Sequence, residues 1–475
     1  MPSFETNHTG VFNGATIAYR CLAAPATVPM KVGDAEHEAE IFSFSYLAET
    51  PGDSGDPASR PVLFCFNGGP GSASLWLHMG VMGPRRVLLP DAELAGAGPH
   101  PVIDNDRCPL DLADLVFIDP PGTGWSKVLG EAKPADAWGI DADARIIGEF
   151  IKSWLTRHKR WGSPRFMLGE SYGTTRAVAV AHTLMGRLSG VAFNGIALVS
   201  AILDFHTARF EPGNVLPDVC WLPTYALTAL HHGRVQPKPE SREQFLDEIR
   251  RFAILEYLPA LAAGSRLAED TQRRVLRQLS RFTGLSQAWL LRARLRIEPG
   301  RFRKELLRER GQVVGRFDGR YLGTDHDAAG ELPDADPSSY AIESGFVAAV
   351  NDVLGRELKC DDQPPYTAFN RDALTKWDWH GPKKDDQPRW PGYPNVAPRL
   401  GELLRQNPGL RVWIANGYYD MATPFYAVET TVAGNGVDTA RVRMTYYDAG
   451  HMMYLHPPSF GRLMDDLREM IRPAG

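Results

Sequence analysis

Cysteine is scarce in this chain of 475 residues, which contains only five. They are Cys21, Cys65, Cys108, Cys220 and Cys360, and no two of them form a CxxC pair. Their odd number and wide spacing argue against a disulfide scaffold or a zinc site, so buried, reduced thiols are expected. An HExxH sequence is also missing, and the two adjacent histidines at 231–232 have no acidic residue close by in the sequence. We therefore predict no metal site and no cofactor.

Long apolar runs and a strong charge of one sign are lacking as well. No apolar run approaches the roughly 20 residues that a membrane span needs. Residues 1–19 do not combine a basic start with an apolar stretch, as a secretory signal does. The formal net charge is −5, which gives no reason to expect nucleic acid or an anionic membrane as a partner. We expect a cytoplasmic protein, while a periplasmic or secreted form and a homodimer stay open.

The apolar residues that are present recur in a regular order. Short continuous apolar runs are typical of strands buried on both faces, and they lie at 62–66, 115–118, 166–168, 196–199 and 412–415. Helical spacing of apolar residues at 146–155 and 174–185 places helices between these runs. Strands that alternate with helices predict a mostly parallel sheet with helices on both faces. The alternating segments 42–46 and 441–447 predict an N-terminal antiparallel strand and a strand near an edge.

The alternation of strands and helices breaks between about Phe205 and Gly345. Residues 241–310 have a helical composition rich in arginine, and 313–321 indicates a small hairpin. We interpret 205–345 as an inserted, mainly helical cap between two parts of one core, 1–204 and 346–475. We expect this cap, which starts near Phe205 and includes 241–310, to lie over the carboxyl edge of the sheet and to narrow access to Ser171.

The arginines of the cap stretch invite a functional interpretation, but a structural one is stronger. They include Arg273, Arg274, Arg277, Arg292, Arg294 and Arg296. Arginines on a solvated helix face usually pair with Glu or Asp nearby. We therefore expect these side chains to form surface ion pairs rather than to bind an acidic substrate.

The segment Gly169-Glu170-Ser171-Tyr172-Gly173 follows a predicted strand and precedes a predicted helix. GxSxG in this position is the nucleophile elbow of the α/β-hydrolase fold, a sharp turn that lifts the serine hydroxyl above the sheet. The flanking glycines are needed because the turn brings the backbone close to itself. We predict an α/β-hydrolase fold with Ser171 as the nucleophile.

A serine nucleophile needs two partners, an imidazole that removes its proton and a carboxylate that orients the imidazole. In this fold they follow the serine in the order acid, then histidine. Asp420 and His451 each come just after a predicted strand, where α/β sheets gather functional groups. Asp448 and His456 are weaker alternatives, since Asp448 is only three residues from His451 and His456 precedes two prolines.

The loop after the first buried strand reads Asn67-Gly68-Gly69-Pro70-Gly71. Three glycines around a proline suit a backbone whose N–H groups approach a substrate closely. Acyl transfer needs such donors for the oxyanion that forms on the substrate carbonyl. We predict that the N–H groups of Gly69 and Tyr172 form the oxyanion hole.

Five segments together resemble the serine carboxypeptidases, the family of carboxypeptidase Y and cathepsin A. They are 67–71, 117–126, 169–173, 417–420 and 449–452, in the family's order. The resemblance implies a bacterial-type member without the family's disulfide cysteines. It would hydrolyse C-terminal peptide bonds of peptide substrates through an acyl-enzyme on Ser171. It also implies that Asn67, Glu170 and Gly68 bind the free carboxylate of the substrate.

The sequence departs from the family at three positions near the carboxylate site. Cys65 stands where the family usually has Trp, Ser72 stands where Cys follows the glycine loop, and Val81 stands at the place of a second glutamate. The alternatives are an esterase or acyltransferase, an aminopeptidase of the proline iminopeptidase type, and a non-catalytic binding protein. Asn67 and Glu170 favour the carboxypeptidase over the iminopeptidase, and the complete triad argues against a binding protein.

Overall fold

The computed structural model describes residues 1–49, 57–186, 189–380 and 392–472. Its strands are β1 (Phe4–Phe12), β2 (Ala15–Val32), β3 (Ala35–Ala48), β4 (Val62–Phe66), β5 (Arg85–Val87), β6 (Val102–Asp104), β7 (Asp114–Ile118), β8 (Lys127–Leu129), β9 (Arg165–Glu170), β10 (Gly195–Val199), β11 (Val313–Val314), β12 (Leu322–Gly323), β13 (Arg411–Gly417) and β14 (Val442–Tyr447). The main sheet has the order β1-β2-β3-β7-β4-β9-β10-β13-β14, with β8 paired to β3.

The α-helices are α1 (Leu75–Leu77), α2 (Ile140–Arg157), α3 (Tyr172–Met185), α4 (Leu216–His231), α5 (Arg242–Phe252), α6 (Leu258–Ala263), α7 (Glu269–Thr283), α8 (Gln287–Arg292), α9 (Pro299–Glu305), α10 (Pro337–Tyr340), α11 (Glu343–Asp352), α12 (Arg371–Thr375), α13 (Ala397–Gln406), α14 (Phe425–Gly434) and α15 (Pro457–Ile471). Within the described part of the chain, none of the helices is both long and apolar enough to cross a membrane. All five cysteines are buried and free of disulfides.

The direction of the strands divides the main sheet into two parts. β1, β2 and β3 form an antiparallel meander, and β3 also runs antiparallel to β7. From β7 through β4, β9, β10 and β13 to β14, neighbouring strands are parallel. A mostly parallel sheet flanked by helices confirms the predicted fold class. The predicted edge position of 441–447 is also correct, because β14 is the last strand of the sheet.

Apolar side chains cover both faces of the sheet, as expected for parallel strands. Along β4, Leu63 belongs to the cluster that α15 covers, and Phe64 belongs to the cluster formed with α2, α3 and α13. Successive side chains of a strand point to opposite faces, so a continuous apolar run serves both layers. This arrangement explains why the buried strands were recognisable in the sequence.

A third apolar cluster joins the helices that follow residue 205 to the core. It includes residues of α4, α5, α7, α8 and α9 and also Phe425 and Tyr426 of α14. The described hairpin of β11 and β12 lies within one or two residues of the expected one at 313–321. The helices at 216–305 therefore pack mainly on one another and on α14.

The arginines of this region behave largely as expected. Arg273 pairs with Glu269 and Asp270, Arg274 with Glu256, and Arg296 with Asp218. Ion pairing is thus confirmed for three of the named side chains. Most of these pairs are exposed, so each contributes little to stability.

Candidate active site

Ser171 lies in the tight turn between β9 and α3. Its backbone has φ +61° and ψ −128°, a region that residues with a side chain rarely occupy. Its N–H donates to the carbonyl of Val199 on the neighbouring strand at 3.0 Å, which helps to hold the turn. Such strain costs on the order of 1–3 kcal/mol and persists only where the surroundings enforce it.

The glycines of GxSxG are required by close backbone approach. A Cβ on Gly169 would lie 2.1 Å from the carbonyl oxygen of Gly173, and one on Gly173 would lie 2.6 Å from that of Phe66. Neither backbone atom can easily move away, because Gly173 belongs to α3 and Phe66 to β4. The steric reason given for the motif therefore holds in the structure.

The imidazole of His451 is oriented by Asp420. Nδ1 of His451 lies 2.7 Å from Oδ2 of Asp420, and both side chains are buried. Oδ1 of Asp420 accepts hydrogen bonds from the N–H groups of Ala422 at 2.8 Å and Thr423 at 3.0 Å. A carboxylate held in this way fixes the proton on Nδ1 and leaves Nε2 as the acceptor that a general base needs.

Ser171 and His451 both line one cavity. Among the described residues, the Ser171 hydroxyl has no hydrogen-bonded side-chain partner. Catalytic hydrogen bonds are often loose without substrate and tighten when it binds. The absence of this hydrogen bond is therefore compatible with Ser171 as the nucleophile and His451 as its general base.

The alternatives to Asp420 and His451 have other contacts. Asp448 forms an ion pair with Arg242 at the surface. The Nδ1 atom of His456 lies 2.7 Å from the hydroxyl of Ser459, at the start of α15. Asp420 therefore stays preferred over Asp448 as the acid, and His451 over His456 as the base.

Charge around His451 shifts its titration. Burial lowers the pKa of His451, while the neighbouring carboxylates of Asp420 and Glu170 raise it, and the net pKa is above the ordinary value. A raised pKa favours the imidazolium, the form that appears when the histidine takes the serine proton. The carboxylate of Asp420, which contacts Nδ1 of His451, is placed to stabilise a positive charge on the imidazole.

The N–H groups predicted for the oxyanion hole lie at adjoining pieces of backbone. Tyr172 begins α3, so its N–H has no partner within the helix. A Cβ on Gly68 would lie 2.4 Å from the nitrogen of Tyr172, which brings the glycine loop against the elbow. Within the described ranges, neither Gly69 nor Tyr172 donates its N–H to another backbone group. Both donors are free to bind a developing oxyanion.

Glu170 is fully buried next to the nucleophile. It accepts hydrogen bonds from Nδ2 of Asn67 at 3.2 Å and from the hydroxyl of Tyr454 at 3.0 Å. Burial raises the pKa of Glu170 to about 7, although the charge of His451 and the two hydrogen bonds oppose the shift. Near neutral pH its carboxyl group therefore exists in both the ionised and the protonated form.

Tyr454 was missed by the sequence analysis. It follows His451 by three residues, and a Cβ on Gly80 would lie 2.5 Å from its ring. The ring therefore packs beside the turn that carries Val81, and its phenol contacts the Glu170 carboxyl. No sequence motif indicates this contact, since it arises only from the packing of the segment after His451 against 78–82.

A buried ion pair supports the glycine loop from behind. Nε of Arg176 lies 2.7 Å from Oδ2 of Asp143, and another nitrogen of its guanidinium donates to the carbonyl of Asn67. Both side chains are almost inaccessible to solvent. Arg176 was also missed, although an arginine within the apolar helix 174–185 was a visible signal.

The cavity above Ser171 has a volume of about 570 Å³. Seven of the eight predicted site residues line it, namely Asn67, Gly68, Gly69, Glu170, Ser171, Tyr172 and His451, with Asp420 behind His451. Its outer wall comes from 202–209, 316–317, 339–347 and 368–379. No residue of 241–310, all of it described, lines the cavity. Of the expected cap, the segments 205–209, 316–317 and 339–343 line the cavity. The expectation is wrong for 241–310, because the apolar sides of these helices pack on α4 and α14 instead.

The outer wall is mixed in character. The apolar side chains of Val347, Phe369 and Leu374 are partly exposed in it. Three arginines also line the cavity, Arg209, Arg316 and Arg371. Throughout the described part of the chain, no group of three or more His, Cys, Asp or Glu is arranged to hold a metal ion.

Comparison with known sequences points to one family. The family model described as serine carboxypeptidase matches residues 31–209. "Serine carboxypeptidase-like 8" of Arabidopsis thaliana is 28% identical over 143 residues, which is 30% of this chain and 31% of the plant protein. "Serine carboxypeptidase-like 5" of the same plant is 26% identical over 141 residues, 29% of this chain and 30% of the relative. The alignments thus span less than a third of these relatives.

Comparison with solved structures extends over most of the chain. Kex1(delta)p, a prohormone-processing carboxypeptidase from Saccharomyces cerevisiae, superposes with a TM-score of 0.55 and 14% sequence identity. The superposition covers 94% of this chain and 91% of the yeast chain. At this identity the likeness concerns the fold, and it includes the part of the chain beyond residue 209.

Proposed function

We propose that this chain, whose residues 31–209 match the serine carboxypeptidase family model, is a serine-type carboxypeptidase that releases the C-terminal residue of a peptide. The observation that carries the proposal is the buried carboxyl of Glu170, hydrogen-bonded to Asn67 and opening into the cavity beside Ser171. A plain esterase needs no such group. The site thus combines acyl-transfer chemistry with a means of recognising a free carboxylate.

The acyl-transfer part of the mechanism uses Ser171 and His451. The Ser171 oxygen attacks the carbonyl carbon of the last peptide bond while Nε2 of His451 takes the hydroxyl proton. The carbonyl oxygen becomes an oxyanion that accepts hydrogen bonds from the N–H groups of Gly69 and Tyr172. His451 then gives its proton to the amine of the departing residue, and the carbon–nitrogen bond breaks. Water, deprotonated by His451, releases the remaining peptide from Ser171.

Recognition of the substrate carboxylate depends on the protonation of Glu170. A peptide α-carboxylate is ionised above about pH 4. Glu170 can donate a hydrogen bond to it only in the protonated form, which predominates below its pKa of about 7. Asn67 donates at any pH. The favourable window for a free C-terminus therefore extends from about pH 4 to about pH 7, and affinity falls as the pH rises through the pKa of Glu170.

Glu170 and His451 are electrostatically linked. The ionised carboxylate of Glu170 raises the pKa of His451, and the protonated imidazole lowers the pKa of Glu170. Protonation of Glu170 removes one of the charges that hold a proton on His451. Protonation of Glu170 by itself therefore favours the neutral imidazole, which is the form that acts as a base.

The test is the pH dependence of kcat/KM for a blocked dipeptide and for its C-terminal amide, in the wild type and in Glu170→Gln. The wild type should prefer the acid over the amide at pH 6 and lose this preference above about pH 7, because burial raises the pKa of Glu170 to about 7. The glutamine amide donates at every pH, so the variant should keep the preference at higher pH. An ester of the same dipeptide measures acyl transfer without carboxylate recognition.

Asn67→Ala serves as the companion variant, because it removes a donor that does not titrate. It should lower the preference for the acid at all pH values. Because the hydrogen bond from Asn67 lowers the pKa of Glu170, its loss should also move the alkaline limb to higher pH, whereas Glu170→Gln abolishes the limb. If both variants act equally on acid, amide and ester, the protein is a serine esterase or other acyl-transfer enzyme rather than a carboxypeptidase.

A further inference from the structure

The three arginines in the cavity wall differ from those on the helices at 241–310. Arg209, Arg316 and Arg371 are exposed and line the cavity. Within the described ranges, none of the three forms an ion pair with an acidic side chain. An arginine without an acidic partner beside a nucleophile is available to an anionic group of a ligand.

The backbone around Arg316 is attached to the loops of the triad. The carbonyl of Arg316 accepts the N–H of Met421 at 3.0 Å, and the carbonyl of Phe317 accepts the N–H of His451 at 2.6 Å. The N–H of Arg316 itself donates to Asp336 at 2.8 Å. Because Met421 follows Asp420 directly, this segment touches both partners of the nucleophile, and its position relative to them is fixed.

The side chain of Arg316 lies on the His451 side of the cavity. Its guanidinium carbon is 5.1 Å from the centre of the Phe317 ring, and that ring lies 5.1 Å from the centre of the His451 imidazole. Arg209 occupies a different part of the wall, where its guanidinium is 5.0 Å from Trp379, a neighbour of Tyr172. The two arginines therefore face different parts of a bound substrate.

His451 must protonate the departing amine, so the released residue occupies the His451 side. Resting on the proposed carboxypeptidase function, we propose that Arg316 binds the side-chain carboxylate of an acidic C-terminal residue and that the enzyme preferentially releases Glu or Asp. The α-carboxylate is then bound by Asn67 and Glu170, and the side-chain carboxylate by the guanidinium fork of Arg316. Arg316 is a substrate-binding residue that determines specificity.

The opposite charge preference has less support in the wall. Of the acidic residues that line the cavity, Glu170 is committed to the α-carboxylate, and Glu343 lies exposed at the start of α11. Three arginines face these two carboxyls. A C-terminal lysine would therefore meet net repulsion, whereas a C-terminal glutamate gains a partner.

The test compares kcat/KM at pH 6 for blocked dipeptides that end in Glu, Gln or Lys and share the first residue. The wild type should prefer Glu over Gln by about tenfold, the effect of one hydrogen-bonded ion pair in a partly enclosed site. Arg316→Met should bring the ratio of Glu to Gln close to one, and Arg316→Glu should shift the preference toward Lys. A variant that merely damages the fold would lower all three rates together.

Arg371→Met is the matched control, because Arg371 also lines the cavity but lies at the start of α12. It should leave the ratio of Glu to Gln unchanged. A wild-type ratio near one, or a preference for Lys, would overturn the assignment of Arg316 while the proposed function stands. If Arg316→Met instead reduces cleavage of all free acids relative to their amides, Arg316 binds the α-carboxylate and the proposal is wrong. A wild type that hydrolyses only esters overturns the proposed function and this inference with it.

Discussion

The floor of the cavity and its wall differ in how far their polar side chains are buried and in whether these side chains are paired. On the floor, Asp420, His451 and Glu170 are buried, and each of these side chains is hydrogen-bonded to protein. In the wall, Arg209, Arg316 and Arg371 are exposed, and the described residues supply no acidic side chain to pair with them. Buried, satisfied groups keep one geometry, which bond chemistry requires. Exposed groups in the wall are free to pair with a ligand. We therefore expect the reaction to depend on the floor, and the choice of the released side chain to depend on the wall.

The largest expected effect comes from removing the nucleophile of the floor. Ser171→Ala should lower kcat for acids, amides and esters alike by about 10⁴-fold or more, because no other group can form the acyl-enzyme. Asp420→Asn should cost less, since that group only orients and stabilises the imidazole. Rates from an ester assay, with thermal unfolding as a check of the fold, measure both.

Near-normal turnover by a folded Ser171→Ala protein would show that Ser171 is not the nucleophile. A loss confined to one class of substrate would also break the comparison, because acids, amides and esters are all expected to react with the same nucleophile.

The sequence predicted the floor far better than the wall, for a physical reason. GxSxG and the residues after strands have fixed spacings because the elbow and the strand ends impose them, as the clash at Gly169 illustrates. The wall combines segments from 202–209 to 368–379 whose meeting depends on tertiary packing alone. No local sequence pattern predicts that Arg316 lies on the His451 side of the cavity.

The misjudged role of 241–310 shows the same limit. Its composition correctly predicted helices, and apolar residues such as Ile249 and Leu279 mark one side of them for burial. A stripe of this kind shows that a helix packs against something, but not against what. Tyr454 was missed for a related reason, since its partner Glu170 is distant in the sequence and close only in the fold.

A smaller effect is expected from the support beneath the floor. Arg176→Met leaves the buried carboxylate of Asp143 without its partner, and breaking a buried pair costs about 3 kcal/mol. Burial already raises the pKa of Asp143, so without Arg176 the cost grows as the pH rises and this group is forced to ionise. Denaturant unfolding at two pH values measures the effect.

The matched control is Lys376→Met, which removes one partner of the exposed pair with Asp372. It should change the free energy of unfolding by less than about 0.5 kcal/mol. Equal effects of Arg176→Met and Lys376→Met would mean that the glycine loop does not depend on the buried pair. In that case contacts other than the pair of Arg176 and Asp143 would have to hold the glycine loop in place.

The smallest effect is expected at Tyr454, where the floor meets the carboxylate site. Tyr454→Phe removes the phenol that donates to Glu170, a bond that lowers the pKa of this carboxyl. The pKa of Glu170 should therefore rise further above its ordinary value, and the alkaline limb for a free-acid dipeptide should move to higher pH. Ester hydrolysis should change by less than about threefold, since a single neutral hydrogen bond is involved. Tyr366→Phe is the control, because its phenol donates to another buried carboxyl, that of Asp119, and should leave the limb in place. An unchanged limb with equally reduced rates for acid and ester would show that Tyr454 supports the triad rather than Glu170, and the boundary between catalysis and carboxylate recognition would then lie elsewhere on the floor.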